Sequence, residues 1–248
     1  MTIAAPAVLF DLDGTLVDPA GGITGGVAHA LRAMNIPVPP AETLNAMIGP
    51  KLSDALLTHT DATLEQVPEL ISIYRAWYRE HGIGMSSLYP GITDVLAALR
   101  ADGVLLGVAT QKPEPLAEIV LAHHGVAGAF DVICGSSADE TLMPGDAGYR
   151  SGKTEIIAAA MAALGQDTAL MVGDRHQDVA GAKANGLRTV GVSWGFAAHG
   201  ELHDAGVSAV VETSDELLSE LRTGLAQAGH ERFATTGSGE RGTADGAL

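Results

Sequence analysis

Three short apolar runs in this chain each stop at a residue able to do chemistry. Ala7-Val8-Leu9-Phe10 stops at Asp11, residues 105–109 stop at Thr110, and residues 169–172 stop at Gly173-Asp174. Runs of this length, bounded by turn-formers, read as buried strands. Residues 189–192 have the same form, and Val132-Ile133 and Ala209-Val210-Val211 are shorter versions of it. Apolar residues at helical spacing lie between them, over 94–100, 116–124, 154–164 and 179–185. Gly103, Gly125, Gly165 and Gly186 then stand where helices commonly end in glycine. Strand–helix alternation predicts an α/β fold, a Rossmann-like parallel sheet covered on both faces. In such sheets ligands collect at the carboxyl ends of the strands. Asp11, Thr110 and Asp174 are therefore expected to meet at one site.

Residues 18–85 interrupt this alternation. They carry helical patterns over 26–34, 52–59 and 65–81 without a clear strand. The stretch is long for a single crossover connection, and it reads as a helical cap inserted after the first strand, with residues 82–87 as its return hinge. Residues 1–17 and 86–228 would then form the core. The segment 229–248 is rich in Gly, Thr, Ser, Glu and Arg and has no apolar periodicity after Phe233. It is expected to be disordered and to play no part in chemistry.

The 248-residue chain has 14 basic and 30 acidic residues, a formal charge of −16. That balance argues against nucleic acid or an anionic membrane as partner, since both favour a basic face. It leaves room for a small anion held by a metal ion, a lysine and backbone N–H groups. The single cysteine, Cys134, follows an apolar run and reads as a buried strand residue rather than a nucleophile. Neither a leader sequence nor an apolar run of roughly 18 residues is evident. A cytoplasmic protein, monomer or homodimer, is the expectation.

Asp11-Leu12-Asp13-Gly14-Thr15 places two carboxylates close together at a strand end. Like charges so placed repel, and a divalent cation would remove the cost. Mg2+ favours a few carboxylates together with water and substrate oxygens. Gly14 allows a sharp turn that can aim amide N–H groups at an anion. Gly173-Asp174-Arg175-His176-Gln177-Asp178 also leaves a strand and opens a helix. Asp174 can complete a magnesium site, and Asp178 can support the ion or orient Lys153. Lys153 begins a helix, where a cation opposes the helix dipole, so its position asks for another reason. Binding a phosphoryl group supplies one. Thr110 offers a hydroxyl to the same group.

The order Asp-x-Asp, Thr, Lys, Gly-Asp-x-x-x-Asp on strand ends resembles the haloacid dehalogenase superfamily, over about residues 7–225. Residues 10–18, Ile48-Gly49-Pro50, Tyr89-Pro90-Gly91, Thr110-Gln111-Lys112-Pro113 and Gly173-Asp174-Arg175 are similar to the phosphoglycolate phosphatase-like branch with a helical cap. The resemblance implies a Mg2+-dependent phosphatase. Asp11 would be the nucleophile and Asp13 the acid and base. Mg2+ would be held by Asp11, Asp174 and the main-chain carbonyl of Asp13. Thr110 and Lys153 would hold the phosphoryl group, and Asp178 would act from behind them. Asp13 also separates the chain from the dehalogenase branch, which lacks a second aspartate here. Lys153 is followed by Thr154 where the family often has Pro, and Lys112-Pro113 competes for its role.

The cap would close over the site and read the leaving group. Gly49, Lys51 and Arg75 are its expected readers, with Gly14, Thr15 and Gln111 contributing from the core. Two cap cations suit a small phosphorylated substrate with a second anionic group, such as phosphoglycolate or a nucleotide. A 5'-nucleotidase-type phosphatase, a phosphosugar mutase and a phosphonate hydrolase are the alternatives, the last needing Lys51 as a Schiff base. A binding module that keeps the fold without activity is disfavoured, because every catalytic position is filled.

Overall fold

The computed structural model describes residues 6–137, 150 and 152–236. The chain opens with β1 (Ala7–Phe10), all four residues of which are buried. β2 (Val17–Asp18) follows and leads into helices α1 (Gly22–Ala33), α2 (Ala41–Ala46), α3 (Leu52–His59) and α4 (Val67–Trp77). A π-helical turn, Tyr78–Gly82, and the short α5 (Ile83–Met85) then lead to β3 (Ser87–Leu88). From there strand and helix alternate through α6 (Ile92–Ala101), β4 (Leu105–Pro113), α7 (Glu114–His123) and β5 (Val132–Ser136). The alternation continues through α8 (Lys153–Leu164), β6 (Leu170–Gly173), α9 (His176–Ala184) and β7 (Arg188–Val192). The last elements are α10 (Glu201–Ala205), β8 (Ala209–Val211) and α11 (Ser214–Thr236).

Six strands form one parallel sheet in the order β5-β4-β1-β6-β7-β8. The expected α/β sheet is therefore present, with β1 near its middle. Successive residues of a strand face opposite sides, and β1 shows the result. Val8 and Phe10 join a cluster with Leu96, Leu99, Leu116, Val120 and Leu217, from α6, α7 and α11. Ala7 and Leu9 join another with Ile156, Ile157, Met171 and Ala182, from α8, β6 and α9. Helices thus cover both faces, which is why the strands read as continuous apolar runs. The four helix-ending glycines all have positive φ.

The insert hangs from a two-stranded ribbon. β2 pairs antiparallel with β3, Val17 opposite Leu88 and Asp18 opposite Ser87, so the chain leaves and re-enters the core side by side. Two residues per strand are too few to show a period in the sequence. Within the insert α1 packs on α4. Val27, Leu31, Leu70, Tyr74 and Tyr78 belong to the same apolar cluster as one face of the sheet. Burial, rather than helix propensity alone, fixes these helices in place.

The sequence expectation fails at the C-terminal end of the core. α11 runs to Thr236, so the backbone of residues 229–236 is helical where disorder is expected. A composition poor in apolar residues does not prevent a packed helix from continuing past its last buried turn. Residues 237–248 lie outside the described residues, as does Ser151 beside Lys153.

Leu9 is fully buried between β4 and β6. Leu9→Ala should cost about 2–5 kcal/mol by transfer and cavity terms. Urea denaturation measures this, and a loss under about 1 kcal/mol would show that the centre of the sheet is not packed as described.

Candidate active site

The carboxyl ends of β1, β4 and β6 bring the expected residues together. Asp11 and Asp13 leave β1, Thr110 lies on β4, and Asp174 and Asp178 follow β6. All five are buried, Asp174 completely. β4 shifts register against β5 between Ala109 and Pro113. Such an irregularity re-aims side chains, and here it sets Thr110, Gln111 and Lys112 at the site.

Lys153, the first residue of α8, reaches across to the cluster from the helix start. Its Nζ lies 2.7 Å from Asp11 Oδ1 and 2.7 Å from Asp178 Oδ1, and donates to the Ala109 carbonyl at 2.8 Å. Burial alone would lower its pKa, but the charges of Asp11 and Asp178 outweigh that and raise it. Lys153 is therefore a fixed cation behind Asp11, and the helix-dipole cost has an evident return.

Lys112 holds the other carboxylate. Its Nζ donates to Asp13 Oδ2 at 2.6 Å and sits 4.8 Å from the ring centre of Tyr78, in the cap's π-helical turn. The two lysines that compete in the sequence thus divide the pair of aspartates between them. Burial raises the Asp13 carboxyl above its ordinary value against the lowering pull of Lys112. Its Oδ1 is buried without a hydrogen-bond partner among the described residues.

Gly14 and Thr15 are not on the open side of the site. Gly14 has φ +89, and a Cβ there would come within 2.3 Å of Asp174 Oδ2. Thr15 Oγ1 donates to Asp174 Oδ1 at 3.2 Å. Their expected contact with substrate is corrected to support of Asp174, because the turn after β1 folds back on β6 rather than outward. The main-chain N–H of Phe196 donates to Asp174 Oδ2 at 2.8 Å, and Trp194 Nε1 donates to the Thr15 carbonyl at 3.2 Å. This loop after β7 was not readable as part of the site, since nothing in its sequence bears a charge.

One oxygen each from Asp11, Asp174 and Asp178 lies within 4.8 Å of the others. Burial holds the Asp174 carboxyl well above its usual value, and the charges of Asp178 and Asp11 push it further. Asp178 is pushed up to about 6 by burial, with Lys153 opposing and Asp11 adding. Lys153 offsets one of the three negative charges. A divalent ion with oxygen ligands fits the remainder in charge and donor chemistry. Asp11 and Asp174 of the expected set stand in this cluster, joined by the carboxylate of Asp178, expected to support the ion, while the ligand expected from Asp13 is its main-chain carbonyl rather than a side-chain oxygen.

Asp11 and Asp13 also line a cavity of about 70 Å³. Thr110, Gln111 and Lys112 line it from the core, and Gly49, Lys51, Tyr74 and Arg75 line it from the insert. The expected cap readers therefore share one cavity with the aspartate pair. Ser136 and Ser137, at the end of β5, also line it and carry no distinguishing sequence signal.

The fold and this site define an α/β enzyme whose helical insert roofs a buried cluster of aspartates. The chain belongs to the haloacid dehalogenase-like hydrolase family, whose model matches residues 8–192. It is 40% identical over 220 residues to the tyrosine-protein kinase PtkA of Mycobacterium tuberculosis, covering 88% of this chain and 72% of that one. It is 35% identical to a 5'-nucleotidase of Pseudomonas aeruginosa, over 79% of this chain and 86% of the relative. A phosphoglycolate phosphatase of Salmonella typhi is 31% identical over 76% of this chain and 81% of its own. Among solved structures, a predicted phosphatase from Clostridium acetobutylicum superposes with a TM-score of 0.81 at 36% identity, over 89% of this chain and all of that one. No helix among the described residues is long and apolar enough to cross a membrane.

Mg2+ should raise the melting temperature in proportion to the logarithm of its concentration above Kd, as any ligand of the native state does. Asp174→Asn should abolish that shift in differential scanning fluorimetry. A variant that keeps the full shift would move the ion away from this cluster.

Proposed function

We propose that this HAD-type phosphatase is Mg2+-dependent and hydrolyses a small phosphomonoester bearing a second anionic group, through an aspartyl phosphate on Asp11. One observation carries the reading: Asp11 and Asp13 line the same cavity as Lys51 and Arg75 of the insert. The phosphoryl group lies at the aspartates and the leaving group points to the cap. Asp11 forms the bond to phosphorus, and Asp13 gives its proton to the departing oxygen. Asp13 then takes a proton from the water that attacks the aspartyl phosphate, and inorganic phosphate leaves. A raised carboxyl pKa suits the first half of that role. The contact with Lys112 fixes which Asp13 oxygen is held and which is available.

Asp11, Asp174 and Asp178, with the Asp13 carbonyl, are the residues that would hold Mg2+. Bound there, the ion offsets charge on the phosphoryl oxygens and on the nucleophile. Lys153 holds and orients Asp11 through its contact with Oδ1, and Thr110 offers its hydroxyl to a phosphoryl oxygen. The insert excludes water from the cavity and supplies the cations that distinguish substrates. Phosphoglycolate and nucleoside monophosphates are the two substrate classes that the named relatives and the cap cations favour together.

A second reading comes from the relative named a tyrosine-protein kinase. The phosphoryl group would then pass to a tyrosine hydroxyl rather than to water. A panel of phosphorylated acids, nucleotides and sugars, assayed for inorganic phosphate, separates the two readings when run beside ATP with a tyrosine acceptor. Phosphate release should dominate, and phosphotyrosine formation without it would reverse the assignment. Asp11→Asn should lower turnover by more than about a thousandfold, as removal of a covalent nucleophile does, with the circular dichroism spectrum unchanged. Lys51→Ala should raise KM for the best anionic substrate about tenfold, the loss of one hydrogen bond to a charged group.

The pH profile tests Asp13. Lys112 lowers the Asp13 pKa, so Lys112→Met should leave Asp13 protonated to higher pH. The alkaline limb of kcat/KM should then move upward in pH. A limb that stays in place or moves down would remove Asp13 from the acid's role.

A further inference from the structure

The insert and the catalytic face also meet through a residue that the proposed chemistry does not use. Arg175 follows Asp174 directly and is only 8% exposed. Its Nη1 donates to the main-chain carbonyl of Ile48, in the loop between α2 and α3. Its Nε donates to Glu201 Oε1 at 3.0 Å, and its main-chain N–H donates to Asp178 Oδ2 at 3.0 Å. Glu201 also accepts from the N–H groups of Ala198 and His176, each at 2.9 Å, and contacts the His176 ring at 2.8 Å. The guanidinium is thus anchored on the core before it reaches the insert.

The loop it grips is shaped to receive it. Gly49 has φ +104, and a Cβ there would stand 3.2 Å from Arg175 Cγ. The aliphatic stem of Arg175 takes the space a side chain would need. Beyond Gly49 the chain continues through Pro50 to Lys51, and all three line the cavity.

We propose that Arg175 is a positioning residue for substrate recognition, which fixes the 48–51 loop over the cavity and so places Lys51 against the leaving group. The inference rests on the reading of that cavity as the substrate site. Arginine suits the task because its fork can keep one nitrogen on a carboxylate while another grips a carbonyl. A lysine has a single nitrogen for both partners. The grip joins the insert directly to the core. Because Arg175 adjoins Asp174, the loop that reads the substrate is referenced to the loop that does the chemistry.

A merely structural role would weaken all reactions alike, whereas a positioning role is selective. The test compares two phosphoryl donors: the best substrate of the panel, and acetyl phosphate, which carries no second anionic group for Lys51 to meet. Arg175→Met should raise KM for the former about tenfold, the loss of one charge-assisted contact to the loop, with kcat and acetyl phosphate turnover within about threefold of wild type. Arg175→Lys should fall between. Hydrogen–deuterium exchange should show faster exchange of amides 48–53 in the Met variant. Unchanged KM and exchange, or equal losses on both donors, would overturn the proposal. Should Arg175→Met fail to fold, Glu201→Gln, which loosens the anchor, must show the same selective rise in KM, and a uniform loss overturns it. The exchange measurement needs no turnover. A failure of the phosphatase reading would therefore appear as wild-type inactivity, separate from the behaviour of the loop.

Discussion

The burial of Asp11, Asp174 and Asp178 within a few ångströms of one another is the constraint on which the catalytic face depends. Three carboxylates out of water repel one another and lose hydration. The protein answers from four directions. The ammonium of Lys153 comes from the start of α8, the Thr15 hydroxyl from the turn after β1, the Phe196 N–H from the loop after β7, and the Arg175 N–H from the start of α9. These donors lie far apart in sequence, so the cluster ties the strand ends to one another. A divalent ion would supply the charge still lacking. The arrangement is poised for an anion whose oxygens complete an ion's shell, which a phosphoryl group does.

On the proposed function, chemistry falls to the core and recognition to the insert, and two long cationic side chains touch both parts. Lys112 touches Asp13 on one side and the Tyr78 ring of the insert on the other. Arg175 touches Glu201 on the core and the Ile48 carbonyl of the insert. Both are long cationic side chains with apolar stems, which can cross an interface between packed elements without leaving a buried charge unpaired. The two-stranded ribbon of β2 and β3 gives the insert its path out and back, while these contacts add polar ties to the apolar cluster it shares with the sheet.

What the sequence disclosed follows from the range of the interactions involved. β1, β4, β6 and β7 are legible because burial on both faces makes each an apolar run. Asp11, Thr110 and Asp174 are legible because they stand directly at the ends of such runs, and Asp13 and Asp178 because they follow within a few residues. β2 and β3 are too short to have a period. The helical backbone of 229–236 is misread because composition speaks to packing and not to whether a helix already begun goes on. Lys112 is visible as a lysine but not as the partner of Asp13, 99 positions away. Arg175 is visible only as a motif letter, since its partner is a backbone carbonyl 127 positions away, and a carbonyl has no sequence signature. Gly14 and Thr15 are placed correctly at the turn, but the direction in which that turn folds is set by β6.

The two buried lysine–aspartate systems are poor candidates for stabilising the fold. Desolvating an ion pair costs several kcal/mol per charge, and apolar residues of similar size often serve stability as well or better. Lys112 and Lys153 are each almost wholly buried, as are the carboxylates they meet. The surrounding core is rich in Leu, Val and Ile and could have closed over the same space. A chain under selection for stability alone has no use for two ammonium groups and four carboxylates there. What these groups do provide is a fixed field at one end of a cavity, oriented before any substrate arrives. Such preorganisation stabilises charge that develops during a reaction. The cost of the buried charges thus agrees with a catalytic use of the strand ends.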